Sequence, residues 1–304
     1  MSTNQAILGI SIRETKRLDG RFLYQYLSAK IKKFQSDGQG IAQKNLSAAY
    51  IRELRIHLPP LGEQRRIAAI LDKADALRRK RKRTLQLASE FREDLYKANF
   101  VHARQSSWPT VSVGEISNDA RTGPFGSQLL HSEFVESGIP VLGIDNVVSN
   151  QFLWGERRYI SKQKFEQLRR YTVRPKDVLI TIMGTCGRCA VVPSDIQTAI
   201  NTKHLCCISL NQAVCLPEFL HATFLGHPDV LKQLGVEAKG AVMPGLNMGI
   251  IKKLTFPLPP MREQEAFVRG LAVLGSVSNR AKHGIELLDR LFVSLQSGAF
   301  SGSL

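Results

Sequence analysis

The chain has 304 residues, 43% of them hydrophobic, enough for a packed core and against general disorder. It carries 42 Lys+Arg and 26 Asp+Glu, a net charge of +16 and a pI near 9.9; cations that neutralise phosphates release counterions, so this balance points to a polyanionic partner. No apolar run reaches the roughly 18 residues of a bilayer span, and "MSTNQAILGISIRETKR" lacks a signal peptide's apolar block and cleavage site, so a cytoplasmic protein without membrane contact is expected.

In chain order, "ILGISI" near residue 10 is followed by "RFLYQYL" at 21–27. "LPPLGEQRRIAAIL", residues 58–71, opens a long helical pattern, with Pro60 suited to a first helical turn and Glu63 to its positive end. Ile67, Ile70, Ala74, Leu77, Leu85, Ala88, Phe91 and Leu95 then recur in steps near three and four, the narrow stripe of a coiled-coil seam. Within that pattern lies "RRKRKR", Arg78–Arg83. Six consecutive cations cover nearly two turns, so one of them, Arg81 on this spacing, faces the seam.

Residues 105–257 read differently. "WPTVSVGEIS" has strand-like alternation, "RTGPFGS" is a turn cluster, and "GIPVLGIDNV" is a short buried strand with its exit loop. "RRYIS", a helix "KQKFEQLRR", the turn and strand "VRPKDVLITIMGT" and "AVVP" follow, then "LCCISL", whose two cysteines face opposite ways. Short strands punctuated by Gly and Pro indicate a compact mixed α/β (α+β) domain. At residue 258, "LPPMREQEAFVRGL" starts the helical pattern again, with Phe267, Leu271, Leu274, Val277, Ala281, Ile285, Leu288, Leu291 and Leu295 on its stripe.

The second "LPP" stretch is the first one repeated. At a constant offset of 200, without a gap from residue 45 to 100, Leu46, Ile51, Leu54, Leu58, Pro59, Pro60, Glu63, Gln64, Leu71, Leu95 and Phe100 meet identical residues at 246, 251, 254, 258, 259, 260, 263, 264, 271, 295 and 300. This is an internal duplication. With small gaps it extends upstream, "ILGISI" echoing "LCCISL" and "RFLYQYL" echoing "EFLHATF" at 218–224, while residues 108–204 have no counterpart before Met1. The expected organisation is therefore residues 1–57 as the tail of a first domain, 58–104 as a first long helix, 105–257 as a complete domain and 258–304 as a second long helix. Two such helices pair with each other or pack separately on globular cores.

Motifs for catalysis are sparse. The sequence has no phosphate-cradling GxxxxGK[ST], no GxGxxG opening a helix and no GxSxG elbow, and no cofactor is expected. "PDVLKQLGVEAK" fits the PD…ExK pattern of metal-dependent nucleases through Asp229, Glu237 and Lys239. That chemistry needs its carboxylates on adjacent strands, whereas Val230, Leu231 and Leu234 have helical spacing. Cys186 and Cys189 in "CGRC" have a zinc-like spacing, but the other cysteines read as strand residues, so no metal site is assigned.

Candidates for nucleic-acid contact are better defined. "RTGPFGSQLLH" places Arg121, Ser127, Gln128 and His131 around glycines; "MGTCGR" presents Thr185 and Arg188; "NTKH" offers Asn201, Lys203 and His204. Arg and Lys pair with guanine edges, Asn and Gln with adenine. Arg78, Arg79, Lys80, Lys82 and Arg83 suit phosphates or an acidic partner protein, with a merely solvated face as the alternative. Residues 52–83 hold 11 Lys/Arg against 4 Asp/Glu.

These features together resemble the DNA-specificity subunit of type I restriction–modification systems. "LPPLGEQRRIAAILDKADAL", its echo "LPPMREQEAFVRGLAVL", "TGPFGS", "GIPVLGIDNV", "VRPKDVLITIMGTCGR" and "AINTKHL" carry the resemblance along nearly the whole chain. It implies a subunit without catalysis of its own: two target-recognition domains, each reading half of a split double-stranded DNA site, held apart by an antiparallel pair of helices. Those helices would dock two adenine-methyltransferase subunits, with a separate translocating restriction subunit for cleavage. This chain departs from that layout in keeping about fifty residues of the first recognition domain. A second specificity chain would then supply the other half-site, or the chain is an inactive assembly fragment.

Overall fold

A computed structural model describes residues 8–37, 48–101, 108–235 and 245–301. The chain forms two compact units, one of residues Met1–Ala88 with Ser276–Leu304, the other of Ser89–Gly275. Glu237, Lys239 and Leu46 lie outside the described residues.

The larger unit is built around a four-stranded antiparallel sheet of β2 (Ser117–Thr122), β7 (Val178–Thr181), β8 (Cys189–Val191) and β10 (Leu205–Leu210), in the order β2-β10-β7-β8. Central β10 is buried along its whole length. Cys206 joins a core beneath helices α6 (Pro217–Gly226), α7 (Pro228–Gln233) and α8 (Met248–Lys253), while Cys207 enters a second core on the opposite face. A second sheet contains β3 (Phe134–Val135), β4 (Ile139–Leu142), β5 (Tyr159–Ile160), β6 (Thr172–Val173) and β9 (Ala199–Asn201), ordered β3-β5-β4-β9-β6, with β4 and β9 parallel. Short helix α5 (Lys162–Leu168), capped by the Ser161 hydroxyl, leads into β6. A third pairing joins β1 (Thr110–Ser112) to β11 (Thr255–Pro257). Strand β2, "SNDART", carries no apolar alternation; it lies at a sheet edge, where pairing to β10 places it without hydrophobic patterning.

The smaller unit holds helices α1 (Gly20–Ala29), α2 (Ile31–Asp37) and α3 (Ala48–Arg52). Asp19 caps α1, accepting from the Arg21 and Phe22 amides, and Phe22, Ile67, Ala68, Leu71 and Ala299 form its core. Helix α4 (Leu61–Phe100) starts in this unit and ends in the larger one; α9 (Met261–Ser301) does the reverse.

The duplication has a structural counterpart in the glutamine of each "EQ" pair. Buried Gln264 donates to the carbonyls of Val214 (3.1 Å) and Pro259 (2.9 Å) and accepts from the Leu216 amide (2.9 Å). Buried Gln64 donates to those of Arg17 and Pro59 (both 2.8 Å) and accepts from Asp19 (2.9 Å). In both copies one side chain ties the start of the long helix to the residue that begins the α1 or α6 turn, satisfying three otherwise orphaned backbone groups. Each helix also ends alike. Phe100 packs on Phe219 (5.1 Å) in the larger unit, and Phe300 on Phe22 (5.5 Å) in the smaller.

Within each unit the two long helices run antiparallel: Arg78 meets Asp289 and Arg81 flanks Gly284 in the smaller unit, and Leu95 flanks Gly270 in the larger. The expected stripe needs correction, because Leu77, Phe91 and Leu291 are exposed. Ile67, Ala74, Ala88, Phe267 and Ala281 are buried as expected, and Leu71, Tyr96 and Phe100 are buried besides, since the helix ends are covered by globular cores. Between those ends the buried positions are small: Ala74, Ala88 and Ala281. Arg81 faces the seam beside Gly284 as expected, and Arg78 joins it there. The Arg78 guanidinium lies 2.6 Å from Asp289 and stacks 4.5 Å from the Phe292 ring centroid, an arrangement that suits a planar cation at a partly dry contact.

Candidate nucleic-acid interface

The larger unit gathers its polar turns at one end of the two sheets. The Ile182 amide donates to the His204 carbonyl (2.9 Å), placing the 182–188 turn beside residues 202–204, and the Thr202 amide donates to Leu142 (2.9 Å), bringing in the β4 exit loop. A side chain at Gly123 would sit 2.0 Å from the Asn201 carbonyl oxygen, so the "RTGPFG" turn approaches the β9 exit as only glycine permits. Gly184, in the left-handed region at φ +73°, packs its turn over Ile144. Thr181 holds the same turn, its hydroxyl donating to the Thr185 carbonyl and accepting from the Arg188 amide.

Several expected contact residues lie exposed on this cluster: Ser127, Gln128, Thr185 and Arg188. Lys203 and His204 are half-buried beside them. Burial, with Lys203 and Arg158 nearby, lowers the His204 pKa and favours the neutral ring near pH 7. His131 is exposed on the following turn, its ring 5.9 Å from that of Phe134.

Two expectations fail on burial. Arg121 is turned inward, its guanidinium donating to Asp119 (2.7 Å), Ser209 (3.0 Å), the Thr172 carbonyl (2.6 Å) and Asp177 (2.8 Å). Asp177 also accepts from the Ser209 hydroxyl (2.6 Å), the Cys207 thiol (3.0 Å) and the Arg174 amide (2.8 Å). This network neutralises a buried carboxylate and joins β2, β10 and the β7 turn, which leaves Arg121 no face for a base. Asn201 is fully buried and donates to the Leu205 carbonyl (3.0 Å), so it shapes the β9–β10 turn from inside.

Residues that sequence reasoning passed over complete the cluster. The Tyr171 hydroxyl donates to Gln128 (2.7 Å), and Arg170 donates to Tyr171 (2.6 Å) while lying over its ring. Arg158 pairs with Asp145 (2.7 Å) at the β4 exit. The available signal was the tripeptide Arg-Arg-Tyr, which occurs at both 157–159 and 169–171.

The family model described as type I restriction modification DNA specificity domain matches residues 1–87 and 105–287. The chain belongs to that family. It is 25% identical over 330 residues to the Escherichia coli type I restriction enzyme EcoBI specificity subunit, covering 99% of this chain and 69% of that protein. To the Methanocaldococcus jannaschii MjaVIII specificity subunit it is 20% identical over 300 residues, covering 93% and 70%. The crystal structure of a type I restriction–modification S subunit from M. genitalium shares its fold, with a TM-score of 0.62 at 15% identity over 95% of this chain and 74% of that one. As a specificity subunit, the chain is a recognition component of a multi-subunit restriction–modification enzyme and not a catalytic one.

Of the basic run, Arg78 is in the helix contact and Arg79 pairs with Asp75 (3.2 Å), while Lys80, Lys82 and Arg83 are exposed. Asp229 stands in the first turn of helix α7, not on a strand. Burial pushes the Cys206 and Cys215 thiols up to about 12 and that of Cys189 higher still, so these cysteines stay protonated near pH 7 and act as small core residues. No group of three or more metal-ligating side chains occurs among the described residues, and no helix among them is long and apolar enough to cross a membrane.

Proposed function

We propose that this chain is the DNA-reading subunit of a cytoplasmic type I restriction–modification enzyme, and that it addresses one half of a bipartite double-stranded site through the turn cluster of residues 105–257. On this reading Gln128, Thr185, Arg188 and Lys203 meet base edges or flanking phosphates, with Ser127, His131, His204, Arg158 and Tyr171 beside them. The observation that carries the reading is the stitching of four separate turns into one polar, partly cationic surface on a rigid sheet frame, since base readout needs preorganised donors. Residues 58–104 and 258–304 serve as the spacer and as the docking surface for adenine-methyltransferase subunits, with the translocating restriction subunit joining them. Residues 1–57 are the end of the first recognition domain, and the second half-site falls to another specificity chain. Lys80, Lys82 and Arg83 contact phosphates or the partner.

Co-expression with the cognate methyltransferase in a host lacking adenine marks, followed by mapping of methyl-adenine, tests this. A recurring motif is expected, and Arg188→Ala or Lys203→Ala is expected to relax it at single positions, at about 1–3 kcal/mol per lost base contact. Methyltransferase binding without any motif would identify an inactive assembly fragment instead. DNA nicking by the purified chain with Mg²⁺ would reinstate the nuclease reading.

A further inference from the structure

Wholly within the larger unit, behind the turn that carries Thr185 and Arg188, lies a cleft of about 690 Å³. Its apolar lining comes from Tyr96 of α4, Phe224 and Leu225 of α6 and Leu231 of α7. Its other walls are the 184–188 turn and residues 149–151. Those walls are fixed rather than slack. Gly184 and Gly187 hold left-handed backbone (φ +73° and +79°), as does Asn150 (φ +57°). The Nε2 of His221 lies 3.1 Å from the carbonyls of both Asn150 and Cys189; carbonyls only accept, so this nitrogen carries the proton and ties both walls to α6. The Tyr96 hydroxyl donates to Thr223 (3.0 Å), which satisfies the polar end of that ring inside the protein.

The charge in the cleft is one-sided. Its ionised lining residues are Arg92 and Arg188, with no carboxylate among the described ones. Neither guanidinium takes part in an ion pair or hydrogen bond among the described residues, although Arg92 is half-buried. Arg92 stands close enough to His221 to add to the lowering of its pKa. Glu218, on the same helix as His221, is engaged by Lys176 (2.5 Å). A guanidinium partly withdrawn from water without an acceptor is unfavourable, and an anionic group offsets that cost through charge-assisted hydrogen bonds.

We propose that this cleft binds a small organic anion, with an aromatic body against Tyr96, Phe224 and Leu231 and an acidic head group held by Arg92 and Arg188. The volume falls in the range of small-ligand clefts, about 300–1,000 Å³, and the pairing of an apolar lining with a few cations is the chemistry such a molecule needs. A bare phosphate or sulfate would leave the apolar lining unused, and a neutral aromatic molecule would leave both arginines without an acceptor. Arg188 then serves two surfaces, since it also belongs to the candidate reading cluster. That link rests on the DNA reading proposed above; the site itself does not.

The test uses the full chain and 8-anilinonaphthalene-1-sulfonate, an aromatic body with one acidic head. A saturable fluorescence rise at one molecule per chain is expected. Uncharged N-phenyl-1-naphthylamine should bind at least about tenfold more weakly, and sulfate alone should not displace the sulfonate at equal concentration. Arg92→Ala and Arg188→Ala should each weaken the sulfonate about tenfold, the loss of one charge-assisted hydrogen bond, and leave the neutral probe unchanged, while Arg92→Lys keeps most of the affinity. Amide exchange should slow at 149–151, 184–188 and 221–226. Equal sulfonate affinity in the alanine variants overturns the proposal, as does protection confined to the exposed apolar positions of the long helices. Arginine-dependent probe binding without any methylation motif sinks the DNA reading and sustains the site. A motif-bearing duplex that leaves the probe bound overturns the shared use of Arg188.

Discussion

Two stretches of this protein carry the same residues and differ in how far they are buried. Ile51 and Ile251, or Leu54 and Leu254, sit at matched positions before matched helices, and only the second member of each pair is in a closed core. The comparison teaches that burial belongs to the cover rather than to the residue. Hydrophobic stabilisation scales with the area removed from water, so identical side chains stabilise their units unequally.

Substitutions at the matched positions sharpen this contrast, and hydrogen exchange resolved by unit is the suitable measure, because two units need not unfold together. The largest effect is expected at the helix ends. Phe100→Ala should cost the larger unit about 3–5 kcal/mol, having lost contacts with Tyr96, Phe219 and Phe267. Half-buried Phe300, stacked on Phe22 and Tyr26, should cost the smaller unit less when replaced by alanine, about 2 kcal/mol. Next, Ile251→Ala should cost about 2–4 kcal/mol and Ile51→Ala under about 1 kcal/mol. Equal losses at these two would mean that Ile51 is covered as closely as Ile251.

The glutamine staples should break the asymmetry. Gln64→Leu and Gln264→Leu each remove the same three bonds, and each should cost about 2 kcal/mol as buried backbone groups lose partners. A large difference between them would show that the two helix starts are not equivalent in solution.

The smallest effect is expected from acid. Burial lowers the pKa of His221 and of His227, both in the larger unit; His221 reaches the carbonyls of Asn150 and Cys189 at 3.1 Å, and the ring nitrogens of His227 are buried without a hydrogen bond. The unfolded chain then binds protons that the folded unit refuses. Stability should be full above the ordinary histidine value near 6.5 and should fall as pH drops below it toward the lowered folded values. His227→Leu should flatten that slope in the larger unit, followed by denaturant midpoints between pH 7 and pH 5.

Much of the architecture was legible in the residues. The 200-residue offset located both long helices, their proline-bearing starts and the paired glutamines, since a duplication preserves local sequence along with local geometry. The opposite orientation of Cys206 and Cys207 followed from the two-residue period of a strand. The candidate surface was less legible. Gln128, Thr185 and Arg188 came from reading polar residues near glycines and Lys203 from the polar run "NTKH", and the same readings wrongly offered Arg121 and Asn201 to a ligand. An arginine at a turn and an arginine beside a buried carboxylate look alike in sequence; Asp177, 56 positions away, turns Arg121 inward.

By itself, then, the sequence determined periodicity, duplication and the chemistry of the helix starts, because these depend on spacing along the chain. Only the tertiary structure decided which apolar stripe is covered, that Arg78 joins Arg81 at the helix contact and which polar residues remain outside. Each of those outcomes depends on partners brought together across the chain, as Arg78 meets Asp289 and Gly123 meets Asn201, and no local spacing encodes such a meeting.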